Sequence, residues 1–164
     1  MRTATRALVP GCIALFLILW ASPLNAKARD MSGTWTLEDG DGSGLPGPKG
    51  VVIVKIVHKE PALKYSITGT DSEGKPMNFG FDGAIDGKPY KDTGPDGGTT
   101  TWKRIDDSTL EGTSTSANGK TTETFTLTVS KSGKVFTRKG TVKIPEGEKV
   151  PAGEYKYWEV WEKQ

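Results

Sequence analysis

The sequence predicts an all-β domain, an up-and-down antiparallel meander closing into a barrel of eight to ten strands. Three observations carry this. Four turns share one grammar, a short pair followed by Gly-Lys: Ser72-Glu73-Gly74-Lys75, Ile85-Asp86-Gly87-Lys88, Ala117-Asn118-Gly119-Lys120 and Lys131-Ser132-Gly133-Lys134. Glycine there supplies the positive φ of a tight hairpin turn. The segments between the turns are rich in Val, Ile, Thr and aromatics, and none shows helical periodicity. Within Thr121 to Ser130, Phe125, Leu127 and Val129 fall on one face and Thr124, Thr126 and Thr128 on the other, as in a strand with one dry and one wet side.

Taken in chain order, the candidate strands begin with Gly33 to Leu37, built around Trp35, and Val51 to His58, dominated by Val and Ile. Lys64 to Thr70, Met77 to Phe81 and the short Pro89 to Asp92 follow, separated by the Gly74 and Gly87 turns. Thr99 to Ile105 and Thr109 to Ser116 are threonine-rich. Thr121 to Ser130, Val135 to Lys143 and the aromatic Glu154 to Lys163 complete the series. Consecutive hairpins without a crossover segment pair neighbour with neighbour, and closure removes both sticky edges of the resulting sheet. A two-sheet sandwich with Greek-key connections is the alternative. An outer-membrane barrel fits poorly. Lys and Glu recur within the strands, the chain ends Glu162-Lys163-Gln164 instead of in an aromatic, and no lipid-facing apolar band can be traced.

The domain is expected to span residues 27–164, behind a signal peptide over residues 1–26. Arg2 and Arg6 precede the apolar stretch ALVPGCIALFLILW, which ends at Ser22-Pro23, and cleavage after Ala26 or after Ala28 both satisfy the small-residue rule. Pro10 and Gly11 interrupt the apolar run, leaving it short of a spanning helix. The protein is therefore expected to be secreted or periplasmic, with no transmembrane segment in the mature chain. Cys12, the only cysteine, precedes the apolar core instead of following it, which argues against a lipid anchor and places it in the discarded leader. The mature chain then has no disulfide and no thiolate, and packing must stabilise it. With Arg2 and Arg6 gone, 20 basic residues face 20 acidic ones. A dispersed balance of this kind argues against nucleic acid as a partner.

Asp39-Gly-Asp-Gly-Ser-Gly invites a calcium-loop reading, with Asp39, Asp41 and Ser43 as ligands and Gly44 at the sixth position. The twelfth position is Gly50 where a bidentate Glu is needed, and the flanks are a strand and a Pro-rich loop. An acidic loop over Glu38 to Gly50 is the simpler reading. No metal and no cofactor are expected.

Gly33-Thr34-Trp35, at the start of a mature all-β chain, resembles the G-x-W signature of the calycin barrels. In those families the Trp closes the bottom of the barrel, often packed by an Arg from a late strand. The segment after it is too short and Gly-rich for the helical pair of fatty-acid-binding proteins. Thr36-Leu37-Glu38 also lacks the ureido-binding residues of avidins. The sequence is more similar to a group of small exported bacterial lipocalin-like proteins without an established activity. The likeness runs in order through Gly33-Thr34-Trp35, Gly47-Pro48-Lys49, Asp86-Gly87-Lys88-Pro89-Tyr90, Lys103-Arg104-Ile105-Asp106, Ser130-Lys131-Ser132-Gly133-Lys134 and Trp161-Glu162-Lys163-Gln164. It implies a lipocalin-like barrel with Trp35 closing it, and says more of fold than of function.

Catalysis lacks parts. His58 is the only histidine and reads as a surface residue at a strand end. No nucleophile elbow is present, and the carboxylates cluster in turns such as Asp71 to Glu73, Asp106-Asp107 and Glu146 to Glu148. The chain is not expected to be an enzyme. Aromatics are more suggestive: Trp102, Phe125, Phe136 and Tyr157 placed inward would line a chamber, with Gly112, Ser114 and Gly140 leaving space. A packed interior fits the same pattern. Arg104 and Arg138 each follow an aromatic by two residues and so share its face. Each could stack beside that ring, anchor a ligand carboxylate or cover Trp35, the plug or a buried network being the favoured role for Arg104.

The function expected is a binding protein that holds a small apolar or amphipathic ligand inside a β-barrel, with Trp102, Arg104, Phe125, Phe136, Arg138 and Tyr157 as ligand-binding residues. The alternative is a protein-interaction module, an inhibitor or envelope-associated factor with a filled barrel, using the aromatics of the last strand around Trp158 and the Glu38 to Gly50 loop.

Overall fold

The computed structural model describes residues 27–42, 44–94 and 97–164. The expected leader, Cys12 included, lies outside the described residues, as does Ser43. Ten strands form one antiparallel sheet: β1 (Gly33–Asp41), β2 (Ile53–Lys59), β3 (Ala62–Thr70), β4 (Pro76–Ala84), β5 (Tyr90–Lys91), β6 (Thr99–Arg104), β7 (Thr109–Thr115), β8 (Thr122–Val129), β9 (Val135–Ile144) and β10 (Gly153–Lys163). Their order, β4-β3-β2-β1-β10-β9-β8-β7-β6-β5, is that of a meander in which the last strand pairs with the first. No Greek-key crossover interrupts it, which removes the sandwich alternative. Among the described residues there is no helix.

The barrel is nearly closed. Its two end strands, β4 and β5, meet at one isolated bridge between Gly80 and Thr93, each donating its N–H to the other's carbonyl at 2.9 and 2.8 Å. Glycine is required at position 80, because a Cβ there would fall on the Tyr65 carbonyl oxygen of the neighbouring strand. The four turn glycines all adopt positive φ, 88° at Gly74, 78° at Gly87, 73° at Gly119 and 68° at Gly133.

One expected boundary moves. The segment from Glu38 onward was expected to be loop, yet Asp39, Gly40 and Asp41 pair with Val160, Glu159 and Trp158 of β10. A bulge between Leu37 and Asp39 absorbs the extra residue Glu38, and Gly40 lets the β10 backbone approach, a Cβ there standing only 3.0 Å from the Trp158 carbonyl oxygen. The first two acidic positions of the supposed calcium loop are thus held in a ladder.

Alternation sends Trp35, Val54, Ile56, Leu63, Phe81, Trp102, Leu110, Phe125, Leu127, Val129, Phe136 and Trp161 inward to a single core. Trp35 is fully buried, at 0 % exposure, and donates its indole N–H to the Met31 carbonyl at 3.0 Å. Residues 27–32 lie across that end of the barrel. The Arg29 amide donates to the Asp107 carbonyl at 2.8 Å, its guanidinium donates to the Val129 carbonyl at 2.8 Å, and the Met31 amide donates to His58 Nδ1 at 3.2 Å. The cation over the Trp35 ring is Lys163, 5.4 Å from the centroid, and not Arg104 or Arg138.

Candidate functional site: the barrel interior

The barrel is not filled by its own side chains. A cavity of about 510 Å³ runs from the closed end, bordered by Met31, to a mouth formed by Pro46 and Pro48, Asp71 and Ser72, Gly97 and Gly98, and Ser116. That volume is in the range of small-molecule sites. The two halves of its wall differ in kind. Strands β1 to β4 contribute Leu37, Val54, Ile67, Met77, Phe79 and the half-buried Tyr65, a predominantly apolar side. Strands β6 to β10, with Asp92 just after β5, contribute Thr100, Ser114, Glu123, Arg138 and Glu159 between the aromatic residues, a side that is polar and charged.

The polar side carries two hydrogen-bonded clusters and two buried atoms that neither satisfies. Glu123 Oε1 accepts from Arg138 Nη2 at 2.7 Å and from the Tyr157 hydroxyl. Glu159 Oε2 stands 3.5 Å from Arg138 Nη1 and accepts from the Trp161 indole N–H at 3.0 Å. The Arg138 guanidinium lies 4.2 Å above the Phe125 ring and 5.0 Å from that of Tyr157. Its side chain is only 25 % exposed. Burial opposes its charge, but Glu123 and Glu159 outweigh that and raise its pKa above the ordinary value. On the neighbouring strands, Asp92 Oδ2 accepts from Thr100 Oγ1 at 3.0 Å, and Thr100 and Ser114 share a hydrogen bond of 2.6 Å. Asp92 Oδ1 and Trp102 Nε1 are buried with no hydrogen-bond partner. Burial and the Glu123 charge raise the Asp92 pKa against the pull of the Thr100 hydrogen bond. Tyr65 meets Trp102 edge-on, with ring centroids 6.1 Å apart. Its pKa is raised chiefly by burial and next by the Asp92 charge, while the Trp102 side chain acts to lower it.

The structure brings Trp102, Phe125, Phe136 and Arg138 together on the cavity wall. Two other expected residues stand elsewhere. Tyr157 is not among the cavity-lining residues, because its ring covers Gly140. A register row explains this: Trp102, Gly112, Phe125, Gly140 and Tyr157 are successive cross-strand partners from β6 to β10. Phe125 lies over Gly112 as Tyr157 lies over Gly140, so these glycines do not leave space in the chamber but seat the adjacent rings. Ser114 does line the cavity. Arg104 is at the closed end, where Nε donates to Glu60 Oε1 at 2.7 Å and Nη1 to the Asp106 carbonyl at 3.0 Å. It neither covers Trp35 nor joins a buried network: its hydrogen bonds to Glu60 and Asp106 are exposed. The same Glu60 oxygen lies 3.1 Å from His58 Nε2. His58 is not a surface residue: its side chain is 3 % exposed and bridges the N-terminal segment to Glu60.

The sequence reading missed Asp92, Glu123 and Glu159. A signal was available for two of them, since Glu123 is in phase with Phe125, Leu127 and Val129, and Glu159 with Trp161. Asp92 lies beyond a two-residue strand, where no alternation can be read.

No family model and no curated protein matches the chain. Solved structures do. The structure of EF1p2_mFAP2b bound to DFHBI is 14 % identical and aligns with a TM-score of 0.44 over 82 % of this chain and 94 % of the other. A redesigned beta barrel, mFAP1, bound to DFHBI, is 15 % identical, with a TM-score of 0.40 over 81 % of this chain and 94 % of that one.

Proposed function

We propose that this chain is an exported lipocalin-like binding protein that holds a small amphipathic molecule inside its barrel and does not turn it over. The observation that carries the reading is the cavity of about 510 Å³ with one apolar and one polar wall. A core built only for stability has no use for a chamber lined by Asp92, Glu123, Arg138 and Glu159, since buried charges destabilise unless they serve a purpose. Binding without turnover is supported by the commitment of the sole histidine to the Met31 amide and Glu60 at the closed end. Export is supported by the composition of residues 1–26; among the described residues the hydrogen bonds to the barrel begin at Arg29, which either expected cleavage leaves in place.

Native mass spectrometry of protein purified from its own host tests this directly: a retained small molecule is the expected result. Ile67→Trp, which adds bulk on the apolar wall, should then abolish retention while a cooperative denaturation curve is kept. A protein that folds, carries nothing and excludes apolar fluorescent probes would refute the reading.

A second reading has one observation in its favour. Trp158 is 37 % exposed on the outer face of β10, beside Val160 and the Thr126, Thr137 and Lys139 side chains of β8 and β9. If the protein acts through that face, Trp158→Ala abolishes capture of a partner chain and leaves interior binding intact.

A further inference from the structure

The interior favours one sign of charge. Among the cavity-lining residues, Asp71, Asp92, Glu123 and Glu159 are acidic and Arg138 alone is basic. That guanidinium is already bridged by Glu123 and Glu159. A ligand carboxylate could reach it only by displacing one of them, which would leave another buried carboxylate without its counter-charge. Asp92 is in the opposite position: Oδ2 accepts from one hydroxyl, that of Thr100, no cation among the described residues pairs with it, and Oδ1 is unpaired. Trp102, only 4 % exposed, has an indole N–H with no hydrogen-bond partner, acting on the Tyr65 phenol only as a long, weak donor. Each orphaned buried group costs the empty protein stability, and a ligand that satisfied both would recover it.

Resting on the reading that the barrel binds inside, we propose that its ligand is a cationic amphiphile. An ammonium or amidinium N–H occupies Asp92 Oδ1, an acceptor atom of the same molecule takes the Trp102 indole N–H, and the apolar body lies along the β1 to β4 wall. Tyr65 and Trp102, both on the cavity wall, offer rings to the cationic end, and Phe81 backs Tyr65 from behind. Tyr65 and Phe81 are stacked at 5.5 Å, and each meets Trp102 edge-on at 6.1 and 6.5 Å. Aromatic rings attract organic cations through their quadrupoles. The raised pKa of Asp92 agrees, since it reports a negative charge still lacking a counter-ion.

The test uses three probes that share one apolar body and differ in charge: 1-naphthylmethylamine, 1-naphthalenemethanol and 1-naphthoate, titrated calorimetrically at pH 7. The amine should bind at least about ten-fold tighter than the alcohol, the scale of one charge-assisted hydrogen bond, and the carboxylate should bind weakest. Asp92→Asn should reduce the amine to the affinity that the wild type has for the alcohol. Equal binding of all three, or a preference for the carboxylate, overturns the cationic assignment while the interior-binding reading stands. Binding of none overturns both. The wild-type ranking alone decides the matter if the variant fails to fold.

Discussion

The ring of Phe125 occupies the place where a Cβ on Gly112 would stand, one strand away in the same register row. The pair fixes where Phe125 lies, and through it Arg138, whose guanidinium lies over the Phe125 ring at 4.2 Å. Gly112→Ala should therefore destabilise the protein by about 1–3 kcal/mol, the usual cost of overpacking, although alanine is otherwise the mildest replacement. Urea denaturation measures it; an unchanged midpoint would mean that the ring moves aside freely.

Asp92 makes the empty protein sensitive to pH in a direction opposite to that of a paired carboxylate. Its folded pKa is raised, so the folded state holds the proton more tightly than the unfolded chain does. Stability on this account falls as pH rises from the ordinary 3.8 through the raised value. Asp92→Asn should melt higher than wild type at pH 7 and match it below pH 3.8. Differential scanning calorimetry across that interval gives the answer, and a variant less stable at neutral pH would contradict it.

At the closed end, Trp35→Phe should cost about 1 kcal/mol or more. It removes the donor to the Met31 carbonyl and leaves that acceptor buried. Trp35→Ala should cost about 3–5 kcal/mol through the cavity it opens against Phe136, whose ring centroid is 4.8 Å away. Chemical denaturation of the two variants separates the hydrogen bond from the packing.

Across the mouth, Lys149 of the β9–β10 loop reaches Glu73 of the β3–β4 turn at 2.8 Å, while Glu148 accepts from Asn118 of the β7–β8 turn at 3.4 Å. The hydrogen bonds from Lys149 and Lys75 lower the Glu73 pKa to about 2, so the tie is lost only as pH falls toward that value. Glu73→Gln should leave thermal stability unchanged, because exposed pairs contribute little, yet accelerate entry of a neutral interior probe in stopped-flow measurements. Identical entry rates would show that the loop does not limit access.

The fold was legible because the evidence for it is local: each strand announces itself by composition and each hairpin by its glycine. Trp35 and the walls Trp102, Phe125 and Phe136 were legible through the same two-residue alternation. What the sequence could not show depends on partners distant along the chain. Whether Arg138 is free or bridged turns on Glu123 and Glu159, and whether His58 is exposed turns on where Met31 comes to rest. The continuation of β1 past Glu38 required knowing that β10 runs beside it. Tyr157 followed the inward phase but was taken up by Gly140, a matter of register between strands and not of pattern within one.

The single reciprocal bridge between Gly80 and Thr93 has a dynamic consequence. The junctions among β1 to β4 and among β6 to β10 are ladders of four or more residue pairs, whereas this one is a single stitch beside β5, itself joined to β6 by only two pairs. Thermal fluctuation should part the wall on either side of β5 first, which would open the barrel along its flank as well as at its top.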